Sequence, residues 1–233
     1  MKEENTMKLK GKAALVTGSS SGIGRETAIL LAQAGCRVAL TYHRGASAGE
    51  AVYRKCARFS EAHLFQLDVR DTESVRRLRQ NVVRRFGSLD ILINNAGVAL
   101  EKSFVKQSRR DRQHQVDVNV LGLMAVTSSF LPSFLRQGKG IIVNVASALS
   151  KEVYPELSVY CATKFAVRGF TQALAKELPR GVRVFCLNPG LTATRLSGYR
   201  GEDPARVAGI IVRAAEESLG RKSGDDIDVW EYL

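Results

Sequence analysis

Ala13-Ala14-Leu15-Val16-Thr17-Gly18-Ser19-Ser20-Ser21-Gly22-Ile23-Gly24 decides how the rest of this chain is read. Its consecutive apolar residues suit a strand buried on both faces. The glycines then let the backbone turn tightly into a helix that runs through Ala34. Such a turn presents backbone N–H groups and a helix N-terminus at one point, an arrangement that attracts a phosphate. The spacing is GxxxGxG rather than the more general GxGxxG, and alone it fits a simple tight connection equally well. Placed directly after the first strand of a strand–helix–strand unit, it makes Gly18, Ser20, Ser21, Gly22, Ile23 and Gly24 a candidate dinucleotide cradle.

Outward from this turn, short apolar runs alternate with amphipathic stretches. Strands are predicted at Ala13–Thr17, Arg37–Thr41, Leu64–Leu67, Ile91–Asn94, Ile141–Val145, Val182–Leu187 and Ile227–Trp230. Most are apolar at consecutive positions, as expected of a parallel sheet covered on both sides. Asp71 and Gly87 bracket an Arg-rich helix in which Val75, Leu78, Val82 and Phe86 recur at helical spacing; Asp203-Pro204 opens a last helix with Val207, Ile210 and Ile211 inward. This alternation predicts one doubly wound α/β domain, a parallel seven-stranded sheet with helices on both faces. It spans 8–233, behind an N-terminal tail of residues 1–7 in which Met7 is an alternative start. Ligands of such sheets lie beyond the carboxyl ends of the strands.

Composition narrows the class. The 35 Lys and Arg against 23 Asp and Glu leave a net charge of +12, which favours anionic partners. The Arg76, Arg77, Arg79, Arg84 and Arg85 run reads as a solvated helix face, and no interleaved aromatic and basic pattern points to nucleic acid. Cys36, Cys56, Cys161 and Cys186 form no CxxC pair, and His43, His63 and His114 are scattered, so no metal site is expected. The N-terminus has no signal-peptide character, and no later segment reads as a membrane span. A cytoplasmic protein with free thiols is the expectation.

The end of the second strand bears on the cofactor. NAD-binding folds commonly carry an acid there, about 20 residues past the glycine turn, for the ribose 2′-hydroxyl. Here Tyr42, His43 and Arg44 occupy it, and a guanidinium can pair with a 2′-phosphate. NADP(H) is therefore expected, with NAD(H) as the alternative; Ser21 stands where NADP users often have a basic residue. Farther on, Tyr160-Cys161-Ala162-Thr163-Lys164 places Tyr160 and Lys164 at i and i+4 on a helix running to about Leu178. A nearby ammonium favours the phenolate and lowers a tyrosine pKa from about 10. Ser147, just past the Ile141–Val145 strand, can orient a carbonyl.

These motifs together resemble the short-chain dehydrogenase/reductase family, in its TGxxxGxG and YxxxK subclass. The resemblance runs from Lys8 to the end through Thr17–Gly24, Asp68-Val69, Asn94-Asn95-Ala96-Gly97, Asn119, Ser147, Tyr160–Lys164, Asn188-Pro189-Gly190 and Thr194. It implies a Rossmann fold and a reaction between a carbonyl or alcohol and a nicotinamide cofactor. On this likeness Tyr160 is the acid/base, Lys164 holds the nicotinamide ribose and lowers the tyrosine pKa, Ser147 binds the reacting oxygen, and Asn119 positions a water in a proton relay. Asp68 and Val69 contact adenine; Asn95, Ala96 and Gly97 line the cofactor channel. Pro189, Gly190, Leu191 and Thr194 lie by the nicotinamide, Thr194 bonding its carboxamide. Tyr42-His43-Arg44 is similar to the NADP-reading stretch of pteridine reductases. Asn94 is taken as structural and Cys161 as packed.

The resemblance also implies a homodimer or homotetramer. Only Arg195–Asp203 separates Thr194 from the last helix, which predicts a short lid and an open substrate pocket, and the DDIDVWEYL ending departs from the family's glycine-rich tail. Expected substrates are a 3-ketoacyl thioester, a small ketone or aldehyde, or a sugar. An NAD-linked alcohol dehydrogenase and a non-catalytic cofactor sensor or scaffold are the competing functions.

Overall fold

In a computed structural model that describes residues 9–233, seven strands form one parallel sheet. They are β1 (Ala13–Val16), β2 (Arg37–Tyr42), β3 (Ala62–Gln66), β4 (Ile91–Asn94), β5 (Gly140–Val145), β6 (Val182–Asn188) and β7 (Asp226–Asp228). The order is β3-β2-β1-β4-β5-β6-β7. The direction of winding reverses between β1 and β4, so the cleft beyond their carboxyl ends is where ligands of this fold bind. The predicted tail, residues 1–7, lies outside the described residues.

Alternating side chains divide the core into two layers. Ala14 and Val16 of β1 face α1 (Gly22–Gln33), α2 (Ala46–Cys56) and α7 (Pro204–Ala215), where Leu31, Val52 and Ile211 are buried. Ala13 and Leu15 face α3 (Thr72–Phe86), α5 (Leu123–Gln137) and α6 (Ser158–Glu177), where Leu78, Phe130 and Leu174 are buried. The predicted helix ends hold. Asp71 accepts from the Glu73 N–H at 2.9 Å, and Gly87 terminates α3 at φ 75°. Asp203 accepts from Ala205 N–H at 2.8 Å with Pro204 in the first turn of α7.

Some boundaries differ from expectation. β3 starts at Ala62, before the predicted Leu64, because Ala62 and His63 already pair with Val38 and Ala39. The last strand stops at Asp228, and Val229–Glu231 curl into a 3₁₀ turn instead of continuing to Trp230. β7 pairs only with Cys186–Asn188, and β6 itself ends at Asn188, so nothing remains for Val229 to pair with. A third difference concerns length. A π turn, Asp117–Gly122, fuses α4 (Arg109–Val116) to α5, and the resulting run Arg109–Gln137 is long and apolar enough to cross a membrane. Its Val126, Phe130 and Phe134 are fully buried against the sheet, the mark of a core helix.

Candidate active site

The glycine turn is built by side chains from neighbouring strands. Thr17 Oγ1 accepts from the N–H groups of Asn95 and Ala96, both at 3.0 Å. Asn95 Nδ2 donates to the carbonyls of Thr17 at 2.9 Å and Gly18 at 3.2 Å. Thr41 Oγ1 accepts from Gly18 N–H at 3.0 Å, while Thr41 N–H donates to Ser19 Oγ at 2.8 Å. Gly18 and Gly22 hold φ of 65° and 56°. At Gly24, a Cβ would stand 2.4 Å from Asn95 Nδ2 and 2.5 Å from Gly18 O, so only glycine lets α1 approach the turn this closely. Ser21 sits at the N-cap of α1, and no side chain among the described residues caps the helix. Its first N–H groups are thus available to an anion. Gly22 also meets Thr194: a Cβ there would lie 3.0 Å from Thr194 Cγ2, which brings the two ends of the expected cofactor site together.

Tyr42, His43 and Arg44 lie at the other end of the cleft. Arg44 is exposed, forms no ion pair among the described residues, and lines a groove of about 910 Å³ together with Arg70, Arg109, Arg110 and His114. Asp68 stands between β3 and this groove with both oxygens engaged by Arg70, at 2.9 and 2.6 Å, and with His43 Nε2 3.4 Å away. The hydrogen-bonded Arg70 guanidinium holds its carboxyl down at about 2. Val69 packs against the π turn, where a Cβ on Gly122 would come within 2.5 Å of its Cγ2.

Ser147, Tyr160, Lys164 and Asn119 gather at the carboxyl end of β5. Ser147 opens a 3₁₀ turn (Ala148–Ser150), and its Oγ accepts from Leu149 N–H at 3.1 Å. The Tyr160 phenol, from the first turn of α6, is its neighbour. Lys164 Nζ is buried; it donates to Val145 O at 3.0 Å and lies 5.5 Å from the centroid of the Tyr160 ring. Asn119 is buried in the π turn. Its Nδ2 donates to Val98 O at 2.8 Å and Thr163 Oγ1 at 3.0 Å, and its Oδ1 accepts from Val98 N–H at 2.8 Å. Gly97 completes the group, since a Cβ there would be 3.3 Å from Asn119 Oδ1 and 3.8 Å from Lys164 Nζ.

The electrostatics of the pair differ from the order expected from spacing alone. Burial pushes the Tyr160 phenol up to about 12, against the lowering effect of the neighbouring Ser147 hydroxyl. Burial also pulls Lys164 down to about 8. The helical spacing does place Lys164 beside the tyrosine ring, but its ammonium turns toward the Val145 carbonyl, and desolvation outweighs attraction in the free chain. Cys161 is buried, as expected of a packed residue, and all four thiols are unpaired.

On the far side of the cleft, Pro189 O accepts from Ala148 N–H at 2.7 Å, which binds the segment after β6 to the Ser147 turn. Leu191 points out, 62% exposed. Thr194 caps a 3₁₀ turn (Arg195–Ser197), accepting from Leu196 N–H at 3.3 Å. The lid is as short as expected and folds on itself, Ser197 Oγ meeting the carbonyls of Thr192, Thr194 and Arg200. Residues that sequence reading passed over do much of the holding. Thr41, Lys151, Asp226 and Asp228 carry no local pattern, and only the fold brings them against the segments that bear the site.

A doubly wound parallel sheet, an uncapped helix behind a glycine turn, and a Ser–Tyr–Lys cluster at the strand ends define a nicotinamide-dependent dehydrogenase. Residues 12–205 match the family model described as short chain dehydrogenase, and the chain belongs to that family. It is 37% identical over 197 residues to an NADP-dependent 3-hydroxy acid dehydrogenase of Schizosaccharomyces pombe, covering 83% of this chain and 76% of that one. With a 3-oxoacyl-acyl-carrier-protein reductase of Staphylococcus aureus it shares 35% over 188 residues, 80% of this chain and 76% of the relative. A short chain dehydrogenase from Burkholderia cenocepacia, solved in complex with NADP, superposes with a TM-score of 0.88 at 31% identity over 95% of this chain and 97% of that one. The protein is an NAD(P)-dependent oxidoreductase of carbonyl and alcohol groups.

Proposed function

We propose that the chain is an NADPH-dependent carbonyl reductase in which Tyr160 is the acid/base. The observation that carries this reading is the gathering of Ser147, Tyr160 and Lys164 at the end of β5, with Lys164 buried beside the ring. The nicotinamide cofactor, when bound, supplies the hydride. Tyr160 stays a neutral phenol at working pH because burial raises its pKa, and it gives its proton to the reacting oxygen. Ser147 Oγ holds that oxygen. Lys164 spends one donor on Val145 O and keeps two for the ribose hydroxyls. The Asn119 amide donates to Val98 O and Thr163 Oγ1, and its Oδ1, which accepts only from Val98 N–H, keeps a lone pair for a water in the proton relay.

The chain offers the cofactor a fitting cradle. The uncapped α1 N-terminus with Gly18, Ser20, Ser21, Gly22, Ile23 and Gly24 would hold the pyrophosphate. Asp68 and Val69 would meet adenine, and Asn95, Ala96 and Gly97 would line the channel. Pro189, Gly190, Leu191 and Thr194 would flank the nicotinamide. NADP(H) is favoured over NAD(H) because Arg44 has no carboxylate partner among the described residues while Asp68 already carries Arg70.

For substrate, the two relatives named for 3-hydroxy acid and 3-oxoacyl groups, with exposed Leu191, Leu196 and Tyr199 at the lid, favour a 3-oxo compound with an apolar body over a sugar. The same reading carries a homodimer or homotetramer, which light scattering measures. The deciding experiment is Tyr160→Phe: turnover should fall about a hundred- to ten-thousand-fold while NADPH affinity stays near wild type. Retained turnover would overturn the role of Tyr160.

A further inference from the structure

The edge strand β7 carries a cluster of paired charges outside the cofactor cleft. Asp226 and Asp228, two apart on a strand, project to one face. Asp228 divides its carboxylate. Oδ2 accepts from Lys151 Nζ at 2.7 Å, and Oδ1 accepts from Asn188 Nδ2 at 2.8 Å. Lys151 ends the turn that Ser147 opens; Asn188 leads directly into Pro189 and Gly190. Asp226 Oδ2 takes Lys151 Nζ at 3.2 Å and Arg168 Nε at 2.8 Å, and Arg168 stands one helical turn beyond Lys164 on α6. Ser150 Oγ closes the ring by donating to Asn188 Oδ1 at 2.9 Å. Two carboxylates thus touch all three segments that converge on the reacting oxygen.

We infer that Asp226 and Asp228, acting through Lys151, Asn188 and Arg168, are positioning residues for carbonyl reduction. They hold the Ser147 turn, the Pro189–Leu191 segment and the helix bearing Tyr160 and Lys164 in one mutual setting. The proposal rests on the reading of Ser147 and Tyr160 as the groups that hold and protonate the carbonyl. Both carboxylates are largely buried, at 14% and 12% side-chain exposure, so removing Lys151 leaves the Asp228 carboxylate without its counter-ion, and removing Asp228 leaves Lys151 held by Asp226 alone. A displacement of about 1 Å at a reacting group is enough to slow a reaction about a hundredfold.

A clamp that only stabilised the edge strand would lower the melting temperature and nothing else. The test is a double-mutant cycle in the full chain, read by single-turnover NADPH oxidation with ethyl acetoacetate as the 3-oxo probe, beside NADPH affinity by fluorescence. Lys151→Gln and Asp228→Asn should each slow hydride transfer about tenfold or more, with NADPH affinity within about twofold. Combined with Ser147→Ala, each should slow the reaction clearly less than it does alone, because the setting of an absent hydroxyl no longer matters. Lys151→Arg, which keeps the ion pair, should recover most of the rate. Single variants at the wild-type rate, or doubles whose losses multiply, would overturn the proposal. Should Asp228→Asn fail to fold, the Lys151 pair decides alone. If Ser147→Ala itself keeps full turnover, the assignment of Ser147 falls and the positioning role falls with it; if only the clamp variants are silent, the assignment of Ser147 stands.

Discussion

Lys164 meets two conflicting demands. The proposed mechanism calls for an ammonium at the ribose, whereas burial beneath Tyr160 pulls the pKa of that ammonium to about 8. Reduction should therefore hold steady below pH 8 and decline as pH rises through about 8, with the slope of one proton, in a pH–rate profile of kcat/KM. Stability moves the other way. Between about 8 and 10.5 the unfolded lysine binds a proton that the folded one has lost, so this residue adds stability as pH rises across that window. Urea midpoints at pH 7.5 and 9.5 separate loss of catalysis from unfolding. Gly24 is the second residue whose chemistry is decided by its neighbours. Gly24→Ala places a methyl within 2.5 Å of Asn95 Nδ2 and Gly18 O. It should cost about 1–3 kcal/mol in denaturant unfolding and weaken cofactor binding, since the turn itself must give way.

At the level of elements, helix ends and the π turn carry different kinds of information. Asp71→Ala removes the α3 cap far from the site and should cost about 1 kcal/mol. That corresponds to roughly 2–4 °C in melting temperature for a chain of this size, with turnover unchanged. The Arg-rich face of α3 was readable because Val75, Leu78, Val82 and Phe86 repeat at helical spacing, and these four are its buried apolar residues. The π turn was not readable. Nothing in Asp117–Gly122 marks a widened turn; it forms where Asn119 must reach Val98 and Thr163 at once while Gly122 closes on Val69. Asn94 is a structural residue. It donates to Thr127 Oγ1 and Asn144 Oδ1, both at 2.9 Å, and Asn144 donates on to Thr171, so one polar ladder ties β4 and β5 to α5 and α6. Such ladders are invisible to periodicity because their members are distant in the chain.

For the molecule as a whole, the cofactor is the ligand that should register. At a hundred times its Kd, NADPH should add about 2.7 kcal/mol to stability, seen as a rise in melting temperature that an equal NADH concentration does not match. Arg44→Ala should erase that difference. A lost charge-assisted contact of about 1.5–3 kcal/mol means roughly a ten- to hundredfold rise in KM for NADPH and little change for NADH. A clear NADH preference in the wild-type chain would sink the cofactor assignment. Arg70, Arg109 and Arg110 share the groove behind Arg44 and outnumber its lining carboxylates Asp111 and Asp117, which leaves a positive field around any anion there.

Periodicity, turn chemistry and motif spacing were enough to give the alternating elements, the parallel sheet, the glycine turn at α1 and the Tyr160–Lys164 pairing, because each is written in neighbouring residues. Strand ends were less secure, since pairing partners, not composition, determine where β3 begins and β7 stops. Only the tertiary structure decided which way Lys164 points, how strongly burial opposes ionisation of Tyr160, and that two aspartates near the end of the chain grip the turn behind Ser147. Those outcomes depend on desolvation and on contacts between residues far apart in sequence, and neither exists until the sheet has closed around them.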